Sequence, residues 1–298
     1  MTAQPVGIVG VGNMGRPIAE RLSEQGVPLL LWNRTADRAQ GIAGATVAAT
    51  PRDVAQGCDV ILSILANDDA IAAIYHGDAG LLAADLTGRV VVEMATTSPG
   101  TVQSLAAAVN ARGGLFLECP VSGNVVPARA GRLMGLAGGT EAAFDAARPV
   151  LDLLMRRLEH LGPVGTGAAM KLAVNLPLMV YWSALGEALA LAMAQGVDPE
   201  LALDILGDSS GAIGAAKSRI PPIAAMVRTG DPGTVSFTLT NAIKDMRLMT
   251  DLAQSTGQPH AVIAAVLAKA EAAAASGWAD YDNALAGTFG LRAKGETA

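Results

Sequence analysis

Val6-Gly-Ile-Val9-Gly10-Val-Gly12-Asn-Met-Gly15 is the stretch whose reading decides the fold. Its first four residues read as a buried strand, and three glycines spaced G-x-G-x-x-G follow at once. An amphipathic helix then runs from about Met14 to Gln25 and ends at Gly26, and Leu29-Leu-Leu-Trp32 gives a second strand. Strand, glycine turn, helix and strand in that order are the context a dinucleotide-binding turn requires. Gly10 allows the tight turn, Gly12 lets the backbone reach a pyrophosphate, and Gly15 lets the helix close on the strand. With Asn13 and Met14 they form the predicted phosphate loop, the anion resting on free amides at the helix start. In a chain with 34 glycines the triplet alone carries little, and its placement carries the reading.

The end of the second strand selects the cofactor. A carboxylate there would accept from the ribose 2′-hydroxyl of NAD. This chain has Asn33-Arg34-Thr35 instead, with Arg38 a turn later. A guanidinium suits a 2′-phosphate, so NADP(H) is expected over NAD(H).

Alternation continues outward. Strands are expected near residues 59–64, 89–93 and 114–117, with helices near 68–75, 99–111 and 141–155. Added edge strands are expected near 133–136 and 158–161. Such alternation predicts a doubly wound, mostly parallel sheet of Rossmann type. Residues 63–67, including Leu65, and residues 93–97 leave the carboxyl ends of strands, where ligands bind in such sheets. Gly162-Pro163 closes the first domain, giving an NADP-binding domain over 1–163 and an all-helical domain over 164–298.

The second domain opens on Gly165-Thr-Gly-Ala-Ala-Met-Lys171-Leu-Ala-Val-Asn175 and an apolar run to Gln195. Between Ala168 and Gln195 only Lys171 and Glu187 are charged. A helix apolar on all sides is expected to be buried on all sides, here as a long interdomain helix. A lysine near its start loses water, which disfavours its charged form. Asn175 sits one turn on along the same face. The competing reading is a lysine whose stem lies along apolar surface while its ammonium reaches water. Pro177 is expected to kink this helix. Further helices are expected near residues 199–207, 218–227, 239–255 and 260–277, with a last turn near 281–285.

Composition bounds the rest. A net charge of −6 argues against nucleic acid and against an anionic membrane surface. The two cysteines, Cys58 and Cys119, make no disulfide framework, and the three histidines show no metal spacing, so no metal site is expected. No basic leader precedes Val6, and the longest uncharged run, Leu172 to Gly186, is shorter than a spanning helix needs. A cytoplasmic protein is expected. With 51% apolar residues concentrated in a helical second half, a homodimer or larger assembly through those helices is expected too.

Several motifs in order resemble those of the β-hydroxyacid dehydrogenase family, which includes 3-hydroxyisobutyrate dehydrogenases and glyoxylate/succinic semialdehyde reductases. They are Gly10 to Gly15, Glu93-Met-Ala-Thr96-Thr-Ser-Pro99, Pro120-Val-Ser122-Gly123, Gly165 through Lys171 to Asn175, and Phe237 through Lys244-Asp245. Asn33-Arg34-Thr35 and the run from Pro120 to Ala128 look closest to the NADPH-using reductases. The resemblance implies Lys171 as general acid/base and Asn175 as its catalytic partner on the substrate oxygen. It implies Ser122 and Gly123 on the substrate carboxylate, with Thr96 beside both nicotinamide ribose and substrate. It implies Phe237 and Asp245 as substrate contacts, and Lys244 as a cofactor contact alongside Leu65.

Three departures bear on the substrate. Ala95 stands where the family usually has Ser, Asn124-Val-Val-Pro replaces a Gly-rich sequence, and Pro177 follows the catalytic turn. The expected activity is hydride transfer between NADPH and a small carbonyl acid or hydroxy acid. The alternatives are an imine reductase on the same scaffold, whose family generally lacks lysine at position 171, and a non-catalytic NADP-binding protein.

Overall fold

The computed structural model describes residues 4–291. Two compact units divide the chain at Leu172/Ala173.

The first unit alternates strands and helices. In chain order it contains β1 (Val6–Val9), α1 (Gly15–Glu24), β2 (Leu29–Trp32), β3 (Ala45–Val47), α2 (Pro51–Gly57), β4 (Val60–Ser63) and α3 (Asp68–His76). Then come β5 (Val90–Glu93), α4 (Pro99–Asn110), β6 (Leu115–Glu118), β7 (Val121–Ser122), α5 (Val125–Arg129), β8 (Leu133–Gly139), α6 (Glu141–Leu151) and β9 (Met155–His160). Among the described residues they form a nine-stranded sheet in the order β3-β2-β1-β4-β5-β6-β8-β7, with β9 on β8. β1 to β6 run parallel, whereas β8 is antiparallel to β6 and β7.

Alternate residues of the central strands feed two separate cores. Ile8, Leu31, Leu62, Val92 and Leu117 pack with Ile18 and Leu22 of α1 and Leu151 of α6. Val9, Ile61, Val91 and Phe116 pack with Val54, Ile71 and Tyr75, and with Val102 and Leu105 of α4. A strand covered on both faces must be apolar at every position, which explains Val-Val-Val and Leu-Phe-Leu in β5 and β6. Each of those strands nevertheless ends on a fully buried glutamate, Glu93 and Glu118.

The sequence reading missed β3, α2, β7 and α5, and ran the last helix of this unit to residue 155. α6 instead stops at Leu151, and Met155 opens β9, whose hydrogen bonds to β8 outcompete further helix.

The long helix α7 (Thr166–Ala194) begins in the first unit and continues unbroken through Pro177 into the second. The units therefore part later in the chain than residues 163/164, because the first turns of α7 pack with the sheet that precedes them.

The second unit is helical, with α8 (Pro199–Asp208), α9 (Ala216–Thr229), α10 (Leu239–Ser255) and α11 (Ala261–Ala273), followed by a 3₁₀ segment, Asn283–Thr288. Trp182, Leu185 and Leu189 of α7 pack with Leu203, Ile223 and Leu285. Gly186 and Gly287 meet backbone to backbone: a Cβ on Gly186 would overlap the carbonyl of Gly287, and one on Gly287 the carbonyl of Trp182.

α7 departs from one expectation. It is not buried on all sides within the chain: its most apolar window is 33% buried, and Leu191 is 75% exposed. By length and composition α7 and α11, extended to Trp278, could each cross a membrane, which the count of uncharged residues did not anticipate. α7 also buries Lys171, Asn175 and Ser183, polar groups that a folded protein interior must satisfy.

Candidate active site

In the first unit the carboxyl ends of the parallel strands form one row. Val9, Ser63, Glu93 and Glu118 are in-register neighbours across β1, β4, β5 and β6. Beyond that row lie most of the site residues expected from the sequence.

The glycine loop leaves β1. Gly10 has φ +99, and a Cβ there would overlap the backbone carbonyl of Ile64. A Cβ on Gly15 would overlap the carbonyl of Gly10, so α1 can start this close to the strand only as glycine. Gly12 faces open space. A dinucleotide's phosphates fit such a cradle: an approachable backbone at the amino end of a ten-residue helix.

Asn33 staples the next loop to this one. Its Oδ1 accepts from Val11 N at 2.9 Å, and its Nδ2 donates to the Thr35 carbonyl at 2.8 Å. Both ends of the amide are thus engaged with protein, and Asn33 acts by shaping the loop on which Arg34 stands exposed. Arg16 braces the following 3₁₀ turn by donating to the Arg38 and Gln40 carbonyls.

Glu93 organises the loop carrying Thr96. Its Oε2 accepts from Ser63 Oγ at 2.6 Å and Tyr75 Oη at 3.0 Å, and its Oε1 from Ala95 N at 2.9 Å. Burial pushes the Glu93 carboxyl up to about 7, against the pull of those donors. Ala95, where the family usually has a hydroxyl, contributes its amide instead. Thr97 Oγ1 donates to Asp68 at 2.8 Å, holding the loop against the start of α3.

Glu118 organises the start of α7. Its Oε1 accepts from Gly165 N at 2.5 Å and Gly167 N at 3.0 Å, and its Oε2 from Ala168 N at 3.0 Å. Burial raises its carboxyl while the three amides oppose the rise. Lys171 follows a turn later and is 8% exposed. Past Glu118 the chain runs through Cys119 and Pro120 to Ser122 and Gly123. Gly123 has φ +134, and a Cβ there would overlap Leu133. Buried Cys119 and Cys58 are each pushed up to about 12, which leaves them as thiols.

The second unit holds the remaining expected residues. Asn175 Nδ2 donates to Asp245 Oδ2 at 3.0 Å, and Lys244 Nζ lies 3.0 Å from Asp245 Oδ1. Asp245 is 1% exposed. Its Oδ1 is met by the Lys244 ammonium as an ion pair. Asp282, unforeseen from the sequence, fixes Phe237. Its Oδ2 accepts from Ser236 N, Ser236 Oγ and Arg219, and from Phe237 N at 3.3 Å.

Reading by motif thus missed Glu93 and Glu118 as organisers, along with Ser63, Tyr75 and Asp282. The available signal was a glutamate closing each of two otherwise apolar strands. Among the described residues no cluster of His, Cys, Asp and Glu could hold a metal.

Known proteins resemble this chain over nearly its whole length. Residues 5–162 match the family described as the NAD binding domain of 6-phosphogluconate dehydrogenase. Residues 165–287 match that described as NAD-binding of NADP-dependent 3-hydroxyisobutyrate dehydrogenase. A mitochondrial 3-hydroxyisobutyrate dehydrogenase of Mus musculus is 33% identical over 86% of this chain and 77% of its own. Glyoxylate/succinic semialdehyde reductase 1 of Arabidopsis thaliana is 32% identical over 93% and 95%. A solved structure, Psf3 in complex with NADP+ and 2-OPP, superposes with TM-score 0.83 at 25% identity, over 95% of this chain and 99% of that one.

Proposed function

The chain belongs to the β-hydroxyacid dehydrogenase family of NAD(P)-dependent oxidoreductases, and from that premise we propose that it interconverts a small carbonyl acid and its hydroxy acid with NADP(H). The observation that carries the reading is Lys171. It is buried a turn beyond a helix start that a buried carboxylate holds in place.

Bound nicotinamide supplies or accepts the hydride. Lys171 gives the substrate oxygen its proton in reduction and takes it back in oxidation. Asn175, on the same helix, offers its carboxamide to that oxygen. Ser122 Oγ and the Gly123 amide, on a loop held by the pairing of β7 with β8 and by packing of Gly123 against Leu133, bind the carboxylate. Thr96 stands on the Glu93-braced loop, and exposed Arg34 faces the 2′-phosphate. Support for the phosphate preference is the guanidinium in place of a carboxylate after β2, with Asn33 occupied in shaping that loop. Leu191 at 75% and Val262 at 60% exposure, on two strongly apolar helices, support pairing of two copies through the second unit. Light scattering at micromolar concentration tests that pairing, and a monomer rejects it.

Turnover of glyoxylate, succinic semialdehyde and 3-hydroxyisobutyrate is measured with NADPH or NADP+ and with their non-phosphorylated counterparts, beside a cyclic imine. Acid turnover favouring the phosphorylated cofactor supports the reading, and imine turnover alone replaces it. In folded, NADPH-binding Lys171→Met protein kcat should fall by roughly 10²–10⁴, the usual worth of a positioned acid/base. Retention of more than about a tenth of wild-type kcat, far above that expectation, ends the acid/base assignment.

A further inference from the structure

We propose that Glu118 is a positioning residue that sets Lys171 and Ser122 in one frame. The proposal rests on the acid/base reading of Lys171 and extends it to a residue that touches neither substrate nor cofactor.

The turn before α7 is poor at holding itself. Gly162 has φ +123 and Gly165 φ +107, conformations that glycine reaches at an entropic cost and that local sequence does not enforce. Thr166 N and Oγ1 donate to the Pro163 carbonyl, and Gly139 N donates to Gly162, while the amides that open α7 are taken by the side chain of Glu118. Three donors, the amides of Gly165, Gly167 and Ala168, converge on its two oxygens. Gly165 immediately precedes α7, and the other two are amides of its first turn, which a helix leaves without internal partners. A negative charge is favourable there, and both oxygens are engaged by backbone donors, which suits Glu118 to holding the turn. The surroundings are cut to the carboxylate. A Cβ on Gly138 would overlap Glu118 Oε1, and a Cβ on Gly167 would overlap the Leu136 carbonyl.

The same strand frames Ser122. Glu118 pairs with Gly138 of β8, and Ser122 pairs with Met134 of β8. The Cys119 amide donates to the Glu93 carbonyl at 2.7 Å, and the Leu136 amide to Pro120 at 3.1 Å, so the intervening residues are held as well. The acid's helix and the hydroxyl of the anion loop therefore share one rigid reference, with Glu118 as the joint. A shift of about 1 Å at a reacting group can cost on the order of 100-fold in rate, so the joint matters to turnover.

The test is a double-mutant cycle with Lys171→Met, supported by amide hydrogen exchange on the cofactor-free protein. Glu118→Gln keeps the shape but turns an N–H₂ towards donors. It should lower kcat for the best carbonyl acid by about 10–100-fold, the scale of a small misplacement. NADPH affinity, read by fluorescence titration, should change less than about twofold, because the phosphate loop is elsewhere. Protection of the amides of residues 165, 167 and 168 should fall. In the Lys171→Met background the same substitution should cost clearly less, leaving only the part that runs through Ser122. Glu118→Asp keeps the charge but loses a methylene of reach. It should behave like Glu118→Gln and stands in if that variant folds poorly. Equal losses in both backgrounds would show a merely structural role and overturn the proposal, as would wild-type kcat in Glu118→Gln. Wild-type turnover in Lys171→Met alone is a separate result: it removes the acid/base reading and this proposal together.

Discussion

Glu93 and Glu118 are register partners on adjacent strands, equally buried, and the neighbourhoods they hold together differ in kind. Glu93 is met by two hydroxyls and one amide, Glu118 by three amides at the mouth of a helix. A hydroxyl can turn and accept, so the Glu93 pocket tolerates a protonated carboxyl, and burial lifts that group to about 7. An amide can only donate, and three of them aimed at one carboxylate favour the charge and oppose the rise that burial still imposes on Glu118. One strand end is thus adaptable and the next is committed. The difference teaches that burial alone does not set the behaviour of an acid; the ability of its partners to reverse roles does.

Glu118→Leu would break the committed end most visibly. It strands three buried donors at roughly 1–3 kcal/mol each, so chemical denaturation should show a loss on the order of 3–9 kcal/mol. A loss below about 1 kcal/mol, less than one stranded donor, would mean water takes over the amides and the contrast with Glu93 is illusory.

The pH dependence sharpens the other end. A carboxyl raised from 4.5 to about 7 on folding holds its proton more tightly in the native state. Its contribution is complete below 4.5 and is lost as pH climbs through 7, at about 1.4 kcal/mol per unit. Between pH 5 and pH 8 wild type should therefore lose about 2.5 kcal/mol relative to Glu93→Gln, which cannot ionise. Identical pH profiles for the two proteins would place Glu93 among ordinary, fully charged carboxylates.

Tyr75→Phe probes one adaptable partner. It removes a single bond to Glu93, worth about 1 kcal/mol, and should raise the midpoint of that pH transition further. A midpoint that moves down instead would assign the hydroxyl to the protonated form.

The smallest effect is expected at the neighbouring thiols. Cys119 follows Glu118 directly and Cys58 lies under α2, and both are buried and held far from ionisation. Iodoacetamide should leave each unmodified in native protein at pH 8, and labelling of Cys119 would show that the committed end opens.

The contrast was invisible to motif reading, for a physical reason. Glycine spacing and apolar alternation report local backbone needs, so β1, α1, β2 and the strand–helix alternation of a mostly parallel sheet could be read directly. α2 was legible as well and went unread: Thr50 and Asp53 make a reciprocal capping box with Pro51 at the first position. β3 and β7 are short and half-exposed, and their pairing depends on neighbours far along the chain. The glutamates closing β5 and β6 stood in plain view. Apart from Ala95, their partners lie 18 to 50 residues away, and only folding brings them together. The exposed flank of α7 was likewise unreadable, since hydrophobicity states what a surface prefers and not whether its own chain covers it.

The seam between Gly186 and Gly287 has a consequence for how this protein can vary. Gly287 lies among small and apolar residues and Gly186 sits beside Glu187; neither glycine carries chemistry, and a survey by chemistry would pass over both. Yet each already has another residue's carbonyl where a methyl would go. In a library of every single substitution, these two columns should be nearly empty of survivors, emptier than Gly12, where space is open. The tail that carries Gly287 is accordingly no appendage. A stop codon placed ahead of Asn283 would expose the flank of α7 between Trp182 and Gly186, and degradation, rather than lost chemistry, would be the first symptom.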